Sequence, residues 1–533
     1  VQSVEVTGKL LEVLAHRGCV GLAALATAAG IAPAQVHTYL VSLTRLGLVK
    51  RDAVLGDYEP GPLSLHLALR YLEHQPAYRA AVAEVGPLAK RAGCCIAICT
   101  AGPHGPTIVH YEHAGTPLHV NLHVGSVMSL TATSTGRVFS AFLDEAQRRA
   151  MQPAAEGRQD ENVKLERELQ RIRSRGIERG IDAPTPSISS MSVPILDVAG
   201  KLQLTLTAIG PSSAIDVEWN GAVANALRAS AGHIESGLRD KRYEASPEHA
   251  RRWDIEPALA QDTPQRGIRT LDTTGELLAA LVRAPHPLIL RDLAAAADMP
   301  AAKAFPHLVS LLGIGLLSRD EAGAFDTGPL GLLLGLMTLQ RQAPERDAEH
   351  EIARLASDTG LTVAAAVLGP LGPTVIRLQE SAHPTHISLR AGTVVSLLNT
   401  AIGRVFAAHL DDEALKDLLA LEPLRLAGSP SDGSGHENGR QATVRKKSID
   451  APNEALLAGI RRDGFDRALG APIPGIDALA APVFDHTNTV RLVIALIGAT
   501  GSFDSEASAM PAQQLLRAAR QLSWRLGWAP AAG

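Results

Sequence analysis

One property of this 533-residue chain narrows its fold more than any other: it contains itself twice. TGKLLEVL from Thr7 recurs as TGELLAAL from Thr274, 267 residues on. LVSLTRLGLVKRD from Leu40 recurs as LVSLLGIGLLSRD from Leu308, and GPLSLHLAL from Gly61 recurs as GPLGLLLGL from Gly328. SLTATSTGRVFSAFL from Ser129 matches SLLNTAIGRVFAAHL from Ser396. GIERGIDAPTPSISSMSVPILD from Gly176 matches GFDRALGAPIPGIDALAAPVFD from Gly464, now shifted by 288. The 21 extra residues fall in the Gly/Ser/Asp-rich tract Leu426 to Lys447, which reads as a disordered loop. Five collinear blocks define a tandem duplication of one multidomain unit. A chain of this length is also too long for a single core.

Within the first copy, the stretch Ile31 to Asp52 points to function. Pro33 suits the first turn of a helix, where its missing N–H costs nothing. Val36, Leu40 and Leu43 then recur at helical spacing, with Tyr39 and Leu46 widening the apolar face. Gly47 stops the helix. Upstream, Leu22 to Ala29 is a short Ala-rich helix that Gly30 ends. Two short helices joined by a tight turn make a helix-turn-helix. Leu48 to Asp52 and Gly56 to Glu59 read as two strands of a wing. The face opposite the apolar stripe carries Gln35, His37, Thr38, Ser42 and Arg45, side chains suited to base edges in a major groove. Lys50 and Arg51, at the wing, are placed for phosphates.

LLEVLAHRG, LAALATAAGIAPAQVHTYLVSLTRLGLVKRD and YEPGPLSLHLAL resemble the N-terminal domain of the IclR family of bacterial transcriptional regulators. The resemblance implies a winged helix-turn-helix followed by a GAF-like domain that binds a small effector. The expected fold is therefore α+β, a tandem repeat of that pair. The expected layout is a winged helix over 1–60, a connecting helix over 61–76 and an effector domain over 77–241. A linker over 242–270 leads to a second winged helix at 271–327, a connecting helix at 328–342 and an effector domain at 343–530. Family helices usually carry an arginine after the histidine, where this chain has Thr38.

The second reader departs further. Aligning Leu40 with Leu308 sets Phe305 opposite His37 and Pro306 opposite Thr38. Neither offers a base a hydrogen bond, and a mid-helix proline costs ~3 kcal/mol. From Val1 to Tyr58 there are five basic and four acidic residues; from Leu271 to Phe325 there are four and six. Phosphate neutralisation favours the first copy, so the second reader is expected to be degenerate and mainly structural. Family members resemble symmetric dimers or dimers of dimers. The expectation here is a homo-oligomer, a dimer of fused chains in which the two first-copy helices read the operator.

The resemblance also places an effector pocket at the residues before a Gly-Lys pair (here Gly136-Arg137 and Gly403-Arg404), at a loop, and at the following strand. In the first copy these are Ser134 and Thr135, then Ser187, Ser189 and Ser190, then Thr207 and Ile209. In the second they are Ala401 and Ile402, then Asp477 and Ala478, with Ala495 and Ile497 on the strand. Hydroxyls near a helix N-terminus suit a carboxylate, so the expected effector is a small organic or aromatic acid in the first copy. The competing reading makes the same residues caps and turns.

Other classes fit less well. A net charge of −4 limits nucleic-acid contact to local surfaces, and 3% aromatics argues against single-strand stacking. Cys19, Cys94, Cys95 and Cys99 form no zinc pattern and read as free thiols of a reducing compartment. No apolar run reaches the roughly 20 residues a membrane span needs, and no signal-peptide pattern opens the chain, so a cytoplasmic protein is expected. His104, His110, His113, His119 and His123 crowd one segment, but their spacing makes a metal site an inferior reading. No G-x-S-x-G, P-loop, G-x-G-x-x-G or HExxH occurs, so neither an enzyme nor a cofactor is expected. The sequence points to a one-component regulator binding double-stranded operator DNA and a small effector. The alternative is a ligand- or partner-binding protein of the same fold that has lost DNA.

Overall fold

A computed structural model describes residues 1–52, 55–113, 122–151, 159–243, 267–380, 389–422, 451–470 and 472–529. The linker expected at 242–270 lies mostly outside these residues, and the tract Leu426–Lys447 and His119 lie wholly outside. The chain falls into two compact units, one built on Val1–Gln342 and the other on Ala343–Trp528.

The first unit opens with α1 (Gln2–Arg17), α2 (Leu22–Ala29) and α3 (Pro33–Arg45). Leu10, Leu11 and Leu14 of α1 are fully buried with Leu25, Val36, Leu40 and Leu43, the helical periodicity seen in the sequence. Gly30 takes a left-handed conformation and returns its N–H to the α2 carbonyls, which sets the turn into α3. The wing is the antiparallel hairpin β1 (Val49–Arg51) and β2 (Tyr58–Pro60), in register Val49 to Pro60 and Arg51 to Tyr58. Helix α4 (Pro62–His74) leads out of it.

An α+β domain follows: α5 (Pro76–Ala92), β3 (Cys95–Gly102), β4 (Gly105–Glu112), α6 (Ser134–Phe142), α7 (Glu145–Met151), α8 (Gln159–Arg175), β5 (Glu178–Gly180), β6 (Ile188–Leu196), β7 (Leu202–Pro211) and α9 (Ala222–Arg239). Its antiparallel sheet runs β4-β3-β7-β6-β5. Strand alternation builds two cores. Ile96, Ile98, Val193 and Leu206 meet α5 and α9 on one face, while Ala97, Cys99 and Ile209 meet Phe139 of α6 on the other. Helix α8 packs behind α6.

The second copy repeats the order. Still in the first unit are α10 (Arg269–Arg283), α11 (Leu290–Ala296), α12 (Ala301–Gly313), β8 (Leu317–Arg319), β9 (Phe325–Thr327) and α13 (Pro329–Arg341). Helix α12 runs unbroken through Pro306, which stands on its exposed side. The second unit contains α14 (Pro344–Asp347), α15 (Glu349–Thr359), β10 (Thr362–Gly369), β11 (Gly372–Gln379), α16 (Ala401–His409), α17 (Asp412–Ala420), α18 (Ala451–Asp463), β12 (Asp466–Leu469), β13 (Ile476–Phe484), β14 (Val490–Ala499) and α19 (Met510–Arg525). Its sheet, β11-β10-β14-β13-β12, matches the first even in detail. A bulge at Ile98/Cys99 is repeated at Ala365/Ala366, and the bridge Thr107–Val127 is repeated as Thr374–Val394.

Candidate nucleic-acid interface and effector site

The buried side of α3 holds Gln35, His37 and Thr38 outward, and all three are exposed. Thr38 Oγ1 donates back to the Ala34 carbonyl at 3.2 Å, so its hydroxyl keeps acceptor capacity outward. Two other expected readers are placed differently. Ser42 is fully buried, and its Oγ accepts the Ile268 N–H at 2.8 Å. Arg45 pairs with Asp272 Oδ1 at 2.8 Å. Both lie one to two turns further along α3, where the winged helix of the second copy covers them. Base contact is corrected for these two residues: they hold the second copy. At the wing, Lys50 is drawn to Glu59 at 3.4 Å. Arg51 is exposed, its Nε donating to the Gly56 carbonyl at 2.9 Å and its guanidinium 5.9 Å from the Tyr58 ring centre.

The two winged helices form a pseudo-twofold pair within one chain. Several contacts occur twice, with the roles exchanged. The Ile268 N–H on Ser42 is matched by the Val1 nitrogen on Ser310. Leu46 fills the space over Gly275, and Ile314 fills that over Gly8, where added Cβ atoms would fall 2.1 and 2.5 Å from those side chains. Arg341 binds Glu59, and its counterpart His74 binds Asp326. Helices α4 and α13 cross closely. A Cβ at Gly335 would lie 2.1 Å from Ala68 Cβ and 2.7 Å from the Ser64 carbonyl.

The pair is not perfectly symmetric. Arg70 is fully buried, with Nε 2.8 Å from Asp326 Oδ1 and other guanidinium hydrogens on the Ala284 and His286 carbonyls. Its counterpart is the apolar Met337, laid against Gly18. Burial pushes the Arg70 pKa down. Burial also opposes charge on Asp326, but the hydrogen bond from His74 and the charge of Arg70 keep its carboxyl below the usual range. On α12, the equivalents of Gln35, His37 and Thr38 are Lys303, Phe305 and Pro306, and all are exposed.

In the first effector domain, Thr133 caps α6 by accepting the Gly136 N–H at 2.9 Å. Ser134 and Thr135 therefore begin the helix directly over the sheet. Ser134 Oγ meets Ser190 Oγ and Ser192 Oγ, each at 2.8 Å. Thr135 Oγ1 meets Thr207 Oγ1 at 2.8 Å, and Ser192 Oγ meets Thr207 Oγ1 at 2.9 Å. This lattice of hydroxyls is closed on itself. Ser134, Thr135, Ser192 and Thr207 are fully buried, and Ile209 packs on the same face of the sheet. Ser192 was absent from the sequence expectation, although it lies two residues beyond Ser190 and so on the same strand face.

Ser187 and Ser189 do not join the lattice, which corrects their placement. Ser189 points to the opposite strand face and bonds Ser212 Oγ at 2.8 Å, while Ser187 is an exposed turn residue with φ 64°. In the second copy Ala401, Ile402, Ala478, Ala480, Ala495 and Ile497 fill the equivalent space as one apolar cluster. Asp477 is the counterpart of Ser189 and likewise leaves the site; it accepts from the Gly470 N–H at 2.8 Å and from Thr500 Oγ1 at 2.9 Å.

The histidines serve separate contacts. His104 Nε2 lies 2.6 Å from the His16 carbonyl, and His110 lies 3.6 Å from Glu112. Among the described residues no group of three or more His, Cys, Asp or Glu could hold a metal ion. None of the four cysteines forms a disulfide, and burial pushes the Cys99 thiol up to about 12. Among the described residues no helix is long and apolar enough to cross a membrane.

The chain carries twice a winged helix-turn-helix followed by a domain on a five-stranded antiparallel sheet, an architecture shared by a class of bacterial regulators. Residues 3–53 and 270–321 match the IclR helix-turn-helix domain, and residues 71–236 match the C-terminal domain of bacterial transcriptional regulator IclR. The chain belongs to the IclR family, and is a transcriptional regulator of it. It is 26% identical over 221 residues to the glycerol operon regulatory protein of Streptomyces coelicolor, covering 40% of this chain and 86% of that one. It is 28% identical over 270 residues to the HTH-type transcriptional regulator BhcR of Paracoccus denitrificans, covering 50% and 88%. Among solved structures, Pseudomonas aeruginosa HmgR matches with 28% identity and a TM-score of 0.41, over 49% of this chain and 99% of that one. Relatives of this size correspond to one copy of the repeat.

Proposed function

We propose that this protein is a cytoplasmic one-component regulator that binds double-stranded operator DNA through Gln35, His37 and Thr38. Its affinity changes when a small molecule enters the first, GAF-like effector domain. The observation that carries this reading is the polar, outward face of α3, held on a helix whose other side is fully buried. Gln and His offer hydrogen bonds to base edges, and Arg51 at the wing suits phosphate. The hydroxyl lattice of Ser134, Thr135, Ser190, Ser192 and Thr207 supports a small polar ligand such as an organic acid, which would take over hydrogen bonds the hydroxyls now make to each other. Because the lattice is buried, such a ligand enters only with opening of the domain.

A route to the reader is also present. The β3–β4 turn places His104 on the end of α1, and Gly125 lies so close to the Leu339 carbonyl of α13 that an added Cβ would fall 2.3 Å from it. Motion around the lattice would press on the winged pair. Homo-oligomerisation of fused chains fits the family pattern, but such an oligomer must use surfaces other than the one already filled by the internal pair.

The test is binding of the full chain to duplex DNA across a salt series. Gln35→Ala with His37→Ala should weaken specific binding about 10- to 100-fold, while Arg51→Ala should weaken all duplexes alike and reduce the salt slope by about 1. Salt-insensitive or absent binding would instead favour a partner-binding protein that has lost DNA.

A further inference from the structure

We propose that one chain reads a non-palindromic operator, with α3 taking one half-site by hydrogen bonds and α12 taking a thymine-rich half-site through an apolar face. This rests on α3 being a DNA reader. The internal pseudo-twofold relates α12 to α3, so a duplex centred on that axis would meet the outward sides of both. That side is chemically unlike its twin. Phe305 is 50% exposed and Val309 48%, and the exposed Ala302 and Pro306 stand beside them. Other apolar residues of the same helix, Ala304, Leu308 and Leu311, are fully buried. An apolar patch left in water at a reading position fits the one apolar feature a major groove offers, the thymine C5-methyl group.

The surroundings fit a polyanion. Lys303 stands within the patch, Arg291 at the start of α11 is 90% exposed, and Arg319 on the second wing is exposed in the position equivalent to Arg51. Nearby acids are partly engaged: Asp292 lies 4.0 Å from Arg291, and Asp320 accepts the Ala324 N–H at 2.8 Å within the wing turn. The second winged helix therefore keeps exposed cations at its edges, fewer than its acids, and of its three outward reading positions only Lys303 offers a hydrogen bond. Recognition by first-copy helices from two chains meets an obstacle, because the surface that would pair them is occupied within each chain by the second copy.

The experiment selects duplexes from a random library with the full chain. It then replaces thymine by deoxyuridine, which removes only the methyl, in one half-site at a time. Two unlike halves about 10 base pairs apart and one chain per duplex by sedimentation are expected. Uracil in the thymine-rich half should weaken binding about three- to five-fold per contacted methyl. Phe305→Ala with Val309→Ala should erase that sensitivity without changing the melting temperature or the effect of Gln35→Ala. An inverted repeat bound by two chains, or indifference to uracil while Gln35→Ala still weakens binding, overturns this proposal and leaves the α3 reading standing. So does loss of chain–chain association in the Phe305/Val309 variant, which would assign the patch to a second copy. Failure to select any duplex overturns both.

Discussion

The two copies agree at most of the positions that hold the fold and differ most at the outward face of the third helix and inside the sheet domain. Ser42 and Ser310 make the same bond across the winged pair, and Gly8 and Gly275 admit the same kind of apolar side chain. At the outward positions Gln35, His37 and Thr38 become Lys303, Phe305 and Pro306. At the inward positions of the sensor Ser134, Thr135, Ser190, Ser192 and Thr207 become Ala401, Ile402, Ala478, Ala480 and Ala495. A backbone and its packing contacts can thus persist while chemistry is exchanged position by position. One copy presents hydroxyls and hydrogen bonds; the other presents methyl groups.

The largest expected effect tests the point where the winged pair is least symmetric. Arg70→Met copies the residue of the second half into the first and leaves Asp326 buried with only His74 and the Thr327 N–H as partners. Unfolding of the full chain in denaturant should show a loss of about 3–5 kcal/mol, much of it recovered when Asp326→Asn is added. If Arg70→Met is silent, the asymmetry at this crossing has no energetic weight.

Next in size is the helix crossing itself. Gly335→Ala meets Ala68 and a backbone carbonyl and should cost about 1–3 kcal/mol, with DNA affinity falling alongside. Gly331→Ala, whose added carbon would lie 3.3 Å from Leu67 Cβ, should be much milder. Equal effects would mean the pair is looser than the contacts indicate.

The sensor contrast can be exchanged directly. Thr207→Val leaves Thr135 and Ser192 each short of a partner inside a closed domain and should destabilise by about 1–3 kcal/mol. Ala495→Thr, the reverse exchange in the second copy, places a hydroxyl among methyl groups and should cost a similar amount. A neutral Ala495→Thr would show that the second interior has room and partners for a polar group.

The last expected effect is set by pH and belongs to the second copy. Burial, with the nearby Arg461 charge, pushes His409 down to about 4, and its ring packs edge-on against Phe484 at 5.0 Å. The unfolded chain takes up this proton first, so the contribution is complete above about pH 6.5 and falls as pH drops toward 4. The melting temperature should follow that profile, and His409→Phe should flatten it.

The sequence by itself determined the repeat, the helix periods, the winged reader and the strand alternation, because these depend on residues close together in the chain or on one half resembling the other. Leu40 and Leu43 had to face a core, and Gln35, His37 and Thr38 had to leave it. Only the tertiary structure decided what became of residues that leave one core and enter another. Ser42 and Arg45 lie on the polar side of α3 by periodicity, yet their partners Ile268 and Asp272 are more than two hundred residues away. Ser134, Ser192 and Thr207 were visible as polar residues, but their closure on one another depends on a helix start lying across two strands. Helical or strand period tells which face a side chain takes; it carries no information about which distant surface covers that face.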